Sequence, residues 1–384
     1  MFCGGPKVKE IKEITGMRGL AAQAVVFFHF CAISPALQAL VTTTVGVPLA
    51  WNSGVDFFFV LSGFLLAIPF MQMKKVGLKS YYVKRVLRIM PAYYVSLLFI
   101  VLFLSKDITV QDIATTVFFG QNLFPSSFTS INGVYWTLTI EEIFYATLPL
   151  FAIFFVRGRW IFSLPVCIAI STTYRQVVYA LYQNQLDYLN FYLWQYPSYI
   201  EHYAIGVSIA ALFVQGRIAV GKLGRSYPLV GAIVALVASD FVIGRAYPLQ
   251  AYDLPLANLL FAVEYGLLIS FTLASPMTSR LRGIFTNRVS RLAGKLSYST
   301  YVWHLPIEAT LYSLNLPVVE WLLLSYLAIV VVATLTYHLV EEPFLRLKER
   351  ISITRPVKDQ LAVHRNVPTV ATQTRKEHGN SFPN

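Results

Sequence analysis

Apolar residues in this chain collect into long runs that are separated by short polar connections. Most runs have about 17 to 23 residues, and an α-helix of that length crosses the roughly 30 Å of hydrocarbon in a bilayer. The pattern therefore predicts an all-α, polytopic integral membrane protein with about ten transmembrane helices. The predicted spans are 20–41, 54–72, 91–105, 133–156, 160–180, 197–215, 228–244, 255–274, 296–315 and 318–340.

Most of the positive charges lie on one side of these predicted spans. With a cytoplasmic N-terminus, 28 of the 31 Lys and Arg residues fall on the inner side, which leaves Lys106, Arg175 and Arg245 for the outer side. Cytoplasmic connections carry the excess of Lys and Arg, so the distribution favours an even number of spans with both termini in the cytoplasm. The predicted location is the plasma (inner) membrane.

Amino-acid composition and charge limit the binding partners that the sequence predicts. The 384 residues are 56% hydrophobic and 13% charged, and the net charge of +12 follows from the same positive-inside bias and from attraction to anionic lipid headgroups. No nucleic-acid partner is therefore predicted. The three cysteines show neither disulfide nor metal-binding spacing, so no metal is expected. Residues 351–384 lose hydrophobic periodicity and are predicted to form a disordered cytoplasmic tail.

Two ionisable residues share one face of the first predicted helix. The eleven residues from Arg18 to His29 turn a helix to within about 20° of its starting direction and raise it by about 16 Å. Arg18 is thus expected near the membrane surface and His29 near the middle. An ionisable group at that depth costs a few kcal/mol, so His29 is predicted to be functional and to have a partner.

The second predicted span begins with WNSGVDFFFVLSGF, in which Asp56 is the charged residue. Gly54 and Gly63 are expected to permit close contact with other helices. Three roles stay open for Asp56. It lies at the outer end of a tightly packed helix, lies beside the acceptor substrate, or holds another polar side chain in orientation.

A basic segment, SYYVKRVLRIMPAYY, precedes the third predicted span, which is expected to start near Pro91. Arg85 and Arg88 are three residues apart on a helix, so their guanidinium groups can converge on one phosphate-bearing ligand, with Lys84 adjacent. An ordinary positive-inside connection would be equally basic, so this segment alone does not decide between the two interpretations.

The fourth predicted span carries a pair of carboxylates in YWTLTIEEIFY, at Glu141 and Glu142. Glu141 is expected about 12 Å from the outer surface and His29 about 14 Å from the inner surface, which are comparable levels in a layer of about 30 Å. A carboxylate that meets an imidazole can fix its tautomer and stabilise its protonated form, as a general base requires. The alternative is a buried ion pair between Glu141 and Arg18 or another arginine.

Further polar residues occur in the ninth predicted span and in the outer halves of other predicted spans. His304 and Glu308 are four residues apart and share a helix face, and His304 is either a hydrogen-bonded structural residue or part of the chemistry. The outer-half residues Glu201, His202 and Glu264 are candidates to line an acceptor cleft, and Glu341 and Glu342 are interpreted as helix-end anchors. The candidate substrate-binding or supporting residues are Asp56, Trp136, Glu142, Ser297, Tyr301 and His304.

Taken in chain order, these segments resemble the membrane-bound acyltransferase-3 family. The resemblance rests on Arg18-x10-His29 followed by GVDFFFVLSGF, YYVKRVLRIMPAY, YWTLTIEEIFY, SYSTYVWH and EEP. It implies that residues 1–350 form one acyltransferase-3 type transmembrane domain. It also implies a ten-helix O-acetyltransferase that takes an acetyl group from cytoplasmic acetyl-CoA and transfers it to a hydroxyl group, without a metal.

The same resemblance implies roles for individual residues. His29 is expected to be the catalytic histidine, Arg18 its paired arginine and Glu141 a functional acid. The residues expected to contact the coenzyme are Lys84, Arg85 and Arg88.

The acceptor is less constrained than the donor. A cell-surface polysaccharide such as an O-antigen or exopolysaccharide is the first expectation, because the aromatic outer connections suit stacking against sugar rings. A macrolide-like metabolite or a glycolipid is the alternative. Expected partners are thus acyl-CoA, a glycan or lipid-linked sugar and membrane lipids, with the oligomeric state open. A secondary transporter should show repeat symmetry, which the sequence lacks, and a scaffold gives no reason to bury His29 and Glu141 at matching depth.

Overall fold

The computed structural model of the chain describes residues 11–44, 51–72, 76–104, 107–218, 221, 223, 225–246, 256–276 and 278–351. Within these residues the chain is helical and contains no β-strand, which confirms the all-α class. The predicted disordered tail lies outside the described residues from residue 352 onward.

The helices follow one another with short connections. The described part of the chain contains α1 (Lys12–Ile33), α2 (Pro35–Thr44), α3 (Gly54–Met71), α4 (Leu78–Phe99), α5 (Val110–Val117), α6 (Tyr135–Ile153), α7 (Trp160–Tyr182), α8 (Leu186–Leu193), α9 (Ile200–Val214), α10 (Tyr227–Ala246), α11 (Ala257–Ala274), α12 (Arg280–Thr286), α13 (Arg288–Tyr312), α14 (Val318–Thr336) and α15 (Glu342–Glu349). Two π-helical segments, Ile100–Leu104 and Tyr337–Glu341, extend α4 and join α14 to α15.

Six helical segments of the described chain are long and apolar enough to cross a membrane. They are Lys12–Ile33, Gly54–Met71, Leu78–Leu104, Trp160–Tyr182, Ala257–Ala274 and Val318–Glu349. The four other predicted spans coincide with α6, α9, α10 and α13, which are helices as well. The chain is therefore a helical membrane protein.

The third predicted span was placed too late in the chain. It was expected over 91–105, but α4 begins at Leu78 and continues through its π-helical extension to Leu104. The prediction made Pro91 the start of the membrane span, whereas Pro91 lies inside α4. The Leu, Lys and Arg residues before Pro91 are good helix formers, so the helix tolerates the hydrogen bond that the proline removes. Similarly, α1 begins at Lys12 rather than at residue 20, which puts Arg18 within its second turn.

Glycines let three pairs of helices approach backbone to backbone. A Cβ atom on Gly294 of α13 would lie 1.7 Å from the carbonyl oxygen of Thr15 in α1. A Cβ on Gly63 of α3 would lie 2.4 Å from the Tyr203 carbonyl oxygen in α9, and one on Gly54 would lie 2.7 Å from the Ala21 carbonyl oxygen. The predicted close contacts of Gly54 and Gly63 are thereby confirmed. Small residues permit this packing where dispersion, and not the hydrophobic effect, holds membrane helices together.

Candidate active site

A cavity of about 450 Å³ lies between α1, α3, α4, α6, α13 and α15, and is called the central cavity below. One wall is apolar and comes mainly from α3, where Val55, Phe58, Phe59, Leu65 and Leu66 line it. The polar and aromatic lining consists of Arg18, Ser62, Arg85, Arg88, Thr137, Glu141, Tyr145, Ser297, Tyr298, Tyr301 and Lys348. The cavity therefore joins a cluster of cations to an apolar channel.

Three arginines of the central cavity come from two helices. Arg85 and Arg88 lie on one face of α4, as their spacing predicted, and Arg18 belongs to α1. Arg18 Nη2 donates to Ser297 Oγ over 3.1 Å. The Arg85 guanidinium lies 5.8 Å from the centre of the Tyr145 ring, and its buried Nε has no hydrogen-bond partner. The adjacent Lys84 is not among the lining residues.

Arg88 is held by a carboxylate from the π-helical segment that joins α14 to α15. Its Nη1 donates to Glu341 Oε2 over 2.9 Å, and Glu341 Oε1 accepts a hydrogen bond from Ser299 over 2.5 Å. Glu341 is 2% exposed and lies in the π-helical segment, a form of helix that is frequent at functional sites. The interpretation of Glu341 as a helix-end anchor missed this contact with a cavity residue.

The carboxylate of Glu141 lies in the wall of the central cavity. It accepts a hydrogen bond from Ser62 Oγ over 2.5 Å, and no hydrogen bond between Glu141 and His29 exists in the described structure. The other interpretation, an ion pair with Arg18, is not formed either, although both residues line the cavity. The adjacent Glu142 does not line it.

The partner of His29 is His304. Nδ1 of His29 lies 2.9 Å from the Val25 carbonyl oxygen and 3.2 Å from His304 Nε2. Nδ1 of His304 lies 2.8 Å from the Tyr301 carbonyl oxygen. Carbonyl oxygens only accept hydrogen bonds, so both Nδ1 atoms carry the proton in the neutral rings, and the lone pair of His304 Nε2 faces His29. The Nε2 atom of His29 then carries a lone pair, and no described residue forms a hydrogen bond with it.

Tyr301 lies between the central cavity and this histidine pair. It lines the cavity, and its ring centre is 5.6 Å from that of His304, whereas neither histidine is among the lining residues. Its Oη lies 2.6 Å from Thr137 Oγ1 and 3.1 Å from the Val134 carbonyl oxygen. Tyr301 is therefore a direct contact between the cavity lining and the histidine pair.

A second buried polar cluster lies away from the cavity and joins α3, α7 and α9. Asp56 Oδ1 lies 2.6 Å from His202 Nε2, and Arg175 Nη2 lies 2.7 Å from Glu201 Oε1. None of these four side chains lines the central cavity. Among the three roles open for Asp56, the geometry favours that of holding another polar side chain in orientation. Glu201 and His202 are part of the same packing and do not form an open cleft at the cavity.

The remaining candidates lie at the margins of the site. Trp136 stacks on Trp194 with 4.9 Å between ring centres, outside the cavity lining. Glu308 is fully buried one turn beyond His304, and neither of its carboxylate oxygens has a hydrogen-bond partner in the described structure. Its predicted position next to His304 on one helix face therefore produces no direct bond.

Sequence reasoning missed Lys348, which lines the central cavity from α15. A signal was available, because seven residues separate Glu341 from Lys348 and a helix turns by close to two full turns over that distance. The two side chains are thus expected on one face. Ser62 likewise had no predicted role, although it is the hydrogen-bond donor to Glu141.

The helical fold and this arrangement of cations, carboxylate and paired histidines define a membrane protein with an internal basic cavity next to a histidine pair. The model of the acyltransferase-3 family, described as an acyltransferase domain, matches residues 11–338. The chain belongs to this family. The matched range contains every residue of the central cavity except Lys348.

Several curated proteins are similar to this chain over most of its length. Peptidoglycan O-acetyltransferase OatA of Listeria monocytogenes is 25% identical over 373 residues, which cover 87% of this chain and 56% of that protein. Nodulation protein 10 of Rhizobium leguminosarum bv. viciae is 26% identical over 79% of this chain and 84% of its own length. The putative peptidoglycan O-acetyltransferase YrhL of Bacillus subtilis is 24% identical over 76% of this chain and 50% of its own length.

The chain thus spans about half the length of the two peptidoglycan O-acetyltransferases that it matches. No solved structure matches the chain significantly.

Proposed function

We propose that this protein is a membrane-bound O-acyltransferase that moves an acetyl group from cytoplasmic acetyl-CoA to a hydroxyl group of a cell-surface polysaccharide. The observation that carries the proposal is the central cavity, which is lined both by a cluster of cations and by Tyr301, whose ring is next to the His29–His304 pair. Transfer from a phosphate-bearing thioester to a hydroxyl group needs both features, because the phosphates need cations and the hydroxyl needs a base.

The donor's phosphates would bind among Arg18, Arg85 and Arg88. Arginine suits this role because its planar guanidinium presents several donors to phosphate oxygens. The apolar wall of α3 would then cover the pantetheine arm. From Ser297, which contacts Arg18, to His304 the rise along α13 is about 10 Å, so the arm has a short distance to cover inside the bundle.

His29 would act as the general base through Nε2. In direct transfer, Nε2 removes the proton of the acceptor hydroxyl while its oxygen attacks the thioester carbonyl. The carbon–sulfur bond then breaks, and the leaving thiolate takes the proton from Nε2, which returns His29 to its neutral form. In the alternative route Nε2 attacks the thioester carbonyl, and the carbon–sulfur bond breaks to release the thiolate. The acceptor hydroxyl then attacks the acetyl group on Nε2, the carbon–nitrogen bond breaks, and the hydroxyl proton passes to the thiolate.

His304 would stabilise the protonated state of His29. When Nε2 takes a proton, the ring becomes a cation whose Nδ1–H already points at two acceptors, the Val25 carbonyl oxygen and His304 Nε2. Hydrogen bonds to a charged group are roughly twice as strong as neutral ones, so this arrangement favours the charge that develops during transfer.

The proposed acceptor and the proposed orientation of the protein in the membrane rest on different observations. Polysaccharide acetylation is supported by the names of the relatives, two of which are peptidoglycan O-acetyltransferases. A cytoplasmic position for the cation cluster is supported by the excess of Lys and Arg on that side of the predicted spans. We accordingly place the protein in the plasma membrane, with the ten long helices as spans and both termini in the cytoplasm.

The test is acetyl-CoA turnover by purified protein in lipid nanodiscs, measured as release of free thiol in the presence of a glycan acceptor. His29→Ala should lower the rate by about 100- to 10,000-fold, the range for losing a general base. His338→Ala is the matched control, because that histidine is exposed and pairs with Glu342 on the surface. Equal rates for His29→Ala and the unaltered protein would exclude the proposed role of His29.

The acceptor is identified in cells. NMR spectra of surface glycans are compared between cells with the unaltered protein and cells with His29→Ala. Loss of an acetyl signal from a polysaccharide is the expected result, and an unchanged glycan spectrum would exclude a polysaccharide acceptor.

A further inference from the structure

A lysine from the helix that follows the last predicted span reaches the central cavity. Lys348 lies near the end of α15, and it lines the cavity together with Arg18, Arg85 and Arg88. We propose that Lys348 binds a phosphate group of the donor, so that the segment after the last span supplies part of the coenzyme site. This inference rests on the proposed function, because it assumes a phosphorylated donor in this cavity.

The partners of the four cations differ. Arg18 donates to Ser297, and Arg88 donates to Glu341. The side chain of Lys348 forms no hydrogen bond or ion pair in the part of the chain that the structure describes. A lysine that lines a cavity together with three arginines experiences repulsion from each, so an anion that enters the cavity would stabilise this position.

The charge of the cavity indicates what kind of anion that is. Four cations line it, and Glu141 is the one carboxylate among the lining residues. Glu341 pairs with Arg88 from outside the lining, so the four cations less the two carboxylates leave an excess of two positive charges, of which a ligand with a single negative charge would balance half. A diphosphate together with a further phosphate, as in coenzyme A, carries enough charge to neutralise all four cations.

The fold holds α15 in place on the cavity side. Glu341, immediately before the helix, is anchored by Arg88 and by Ser299. Pro343 starts α15 at its first turn, where a missing backbone N–H costs nothing. The same helix packs against α4, which carries Arg85 and Arg88. The position of Lys348 is therefore determined by contacts made with the other cavity residues.

The opposite face of α15 provides a matched control. Arg346 pairs with Glu342 over 2.9 Å, and its side chain is 74% exposed. Arg346 thus belongs to the same helix and carries the same charge, but it does not line the cavity. An effect of total charge or of helix stability would appear in both Lys348→Met and Arg346→Met, whereas a contact with the donor would appear only in the first.

The experiment is calorimetric titration of the purified full chain in nanodiscs with coenzyme A, and separately with acetyl-pantetheine, which lacks the phosphates. Lys348→Met should weaken coenzyme A binding by about 10- to 100-fold, the loss expected for one charge-assisted contact, and should leave acetyl-pantetheine binding unchanged. Arg346→Met should change neither by more than about twofold. Lys348→Arg should restore most of the affinity for coenzyme A.

The possible failures are distinguishable. If the unaltered protein does not bind coenzyme A, the proposed donor is wrong and this inference falls with it. If the unaltered protein binds coenzyme A and Lys348→Met binds it equally well, the donor stands and the role of Lys348 is refuted. Equal weakening of both ligands by Lys348→Met would show a structural role for the lysine and would also refute the proposal.

Discussion

Replacing His304 tests whether the second histidine supports the first. In His304→Leu the imidazole of His29 keeps the Val25 carbonyl oxygen as an acceptor and loses His304 Nε2, which is 3.2 Å from its Nδ1. A hydrogen bond to a charged group contributes about 1.5 to 3 kcal/mol. Because the charge on His29 develops during transfer, the loss should lower kcat by about 10- to 150-fold with little change in the KM for acetyl-CoA.

The assay is thiol release at saturating acetyl-CoA and acceptor, with both kcat and KM determined. His304→Gln is the informative second variant, since a glutamine amide can present an oxygen acceptor near the position of Nε2, and it should recover part of the rate. Melting temperatures in detergent separate loss of function from loss of fold. The reasoning is refuted if His304→Leu turns over at the rate of the unaltered protein, or if the entire loss appears in KM.

Three further substitutions test the structure around the site. Glu341→Ala should destabilise the protein by about 3 kcal/mol or more, because it removes the partner of a partly buried arginine, and thermal melting in detergent would measure this. Gly294→Ala should lower the melting temperature or abolish folding, since no side chain fits there, whereas Gly231→Ala, which meets no atom within 4 Å, should not. Hydrogen bonding, first from the Thr109 hydroxyl, lowers the pKa of Asp112 to about 2, so its stabilising contribution should be complete above about pH 4 and be lost as the pH falls towards 2. Acid unfolding of Asp112→Asn should lack this part of the pH dependence.

The helical class could be predicted from the sequence because hydrophobic runs report directly on which segments can enter a bilayer. The start of α4 could not, since the apolar run begins only at Pro91, after the charged residues around Arg85. In the folded protein Arg85 and Arg88 line an internal cavity. There the ring of Tyr145 lies beside Arg85, and Glu341 pairs with Arg88. Hydropathy measures the cost of exposure to lipid, and it contains no information about a cavity that forms only when six helices pack together.

Some features of the candidate site follow from the periodicity of a single helix, and others depend on how the helices pack against one another. The shared face of Arg85 and Arg88 follows from helical periodicity alone, and the structure has both at the cavity. The identity of the partner of His29 does not follow from helical periodicity. Glu141 and His304 are both at compatible depths, and depth leaves open the rotation of each helix about its axis.

The close contact of α1 with α13 explains which partner meets His29. Gly19 and Gly294 bring these two backbones together, since a Cβ on Gly19 would lie 2.6 Å from the Gly294 nitrogen. Helices at that separation bring His304 to His29, while Glu141 of α6 faces Ser62 of α3 across the cavity. The carboxylate is thereby kept apart from the imidazole. A base that is paired with a neutral histidine can give up its proton to a leaving thiolate more readily than one held by a carboxylate, because a buried carboxylate would stabilise the imidazolium far more strongly.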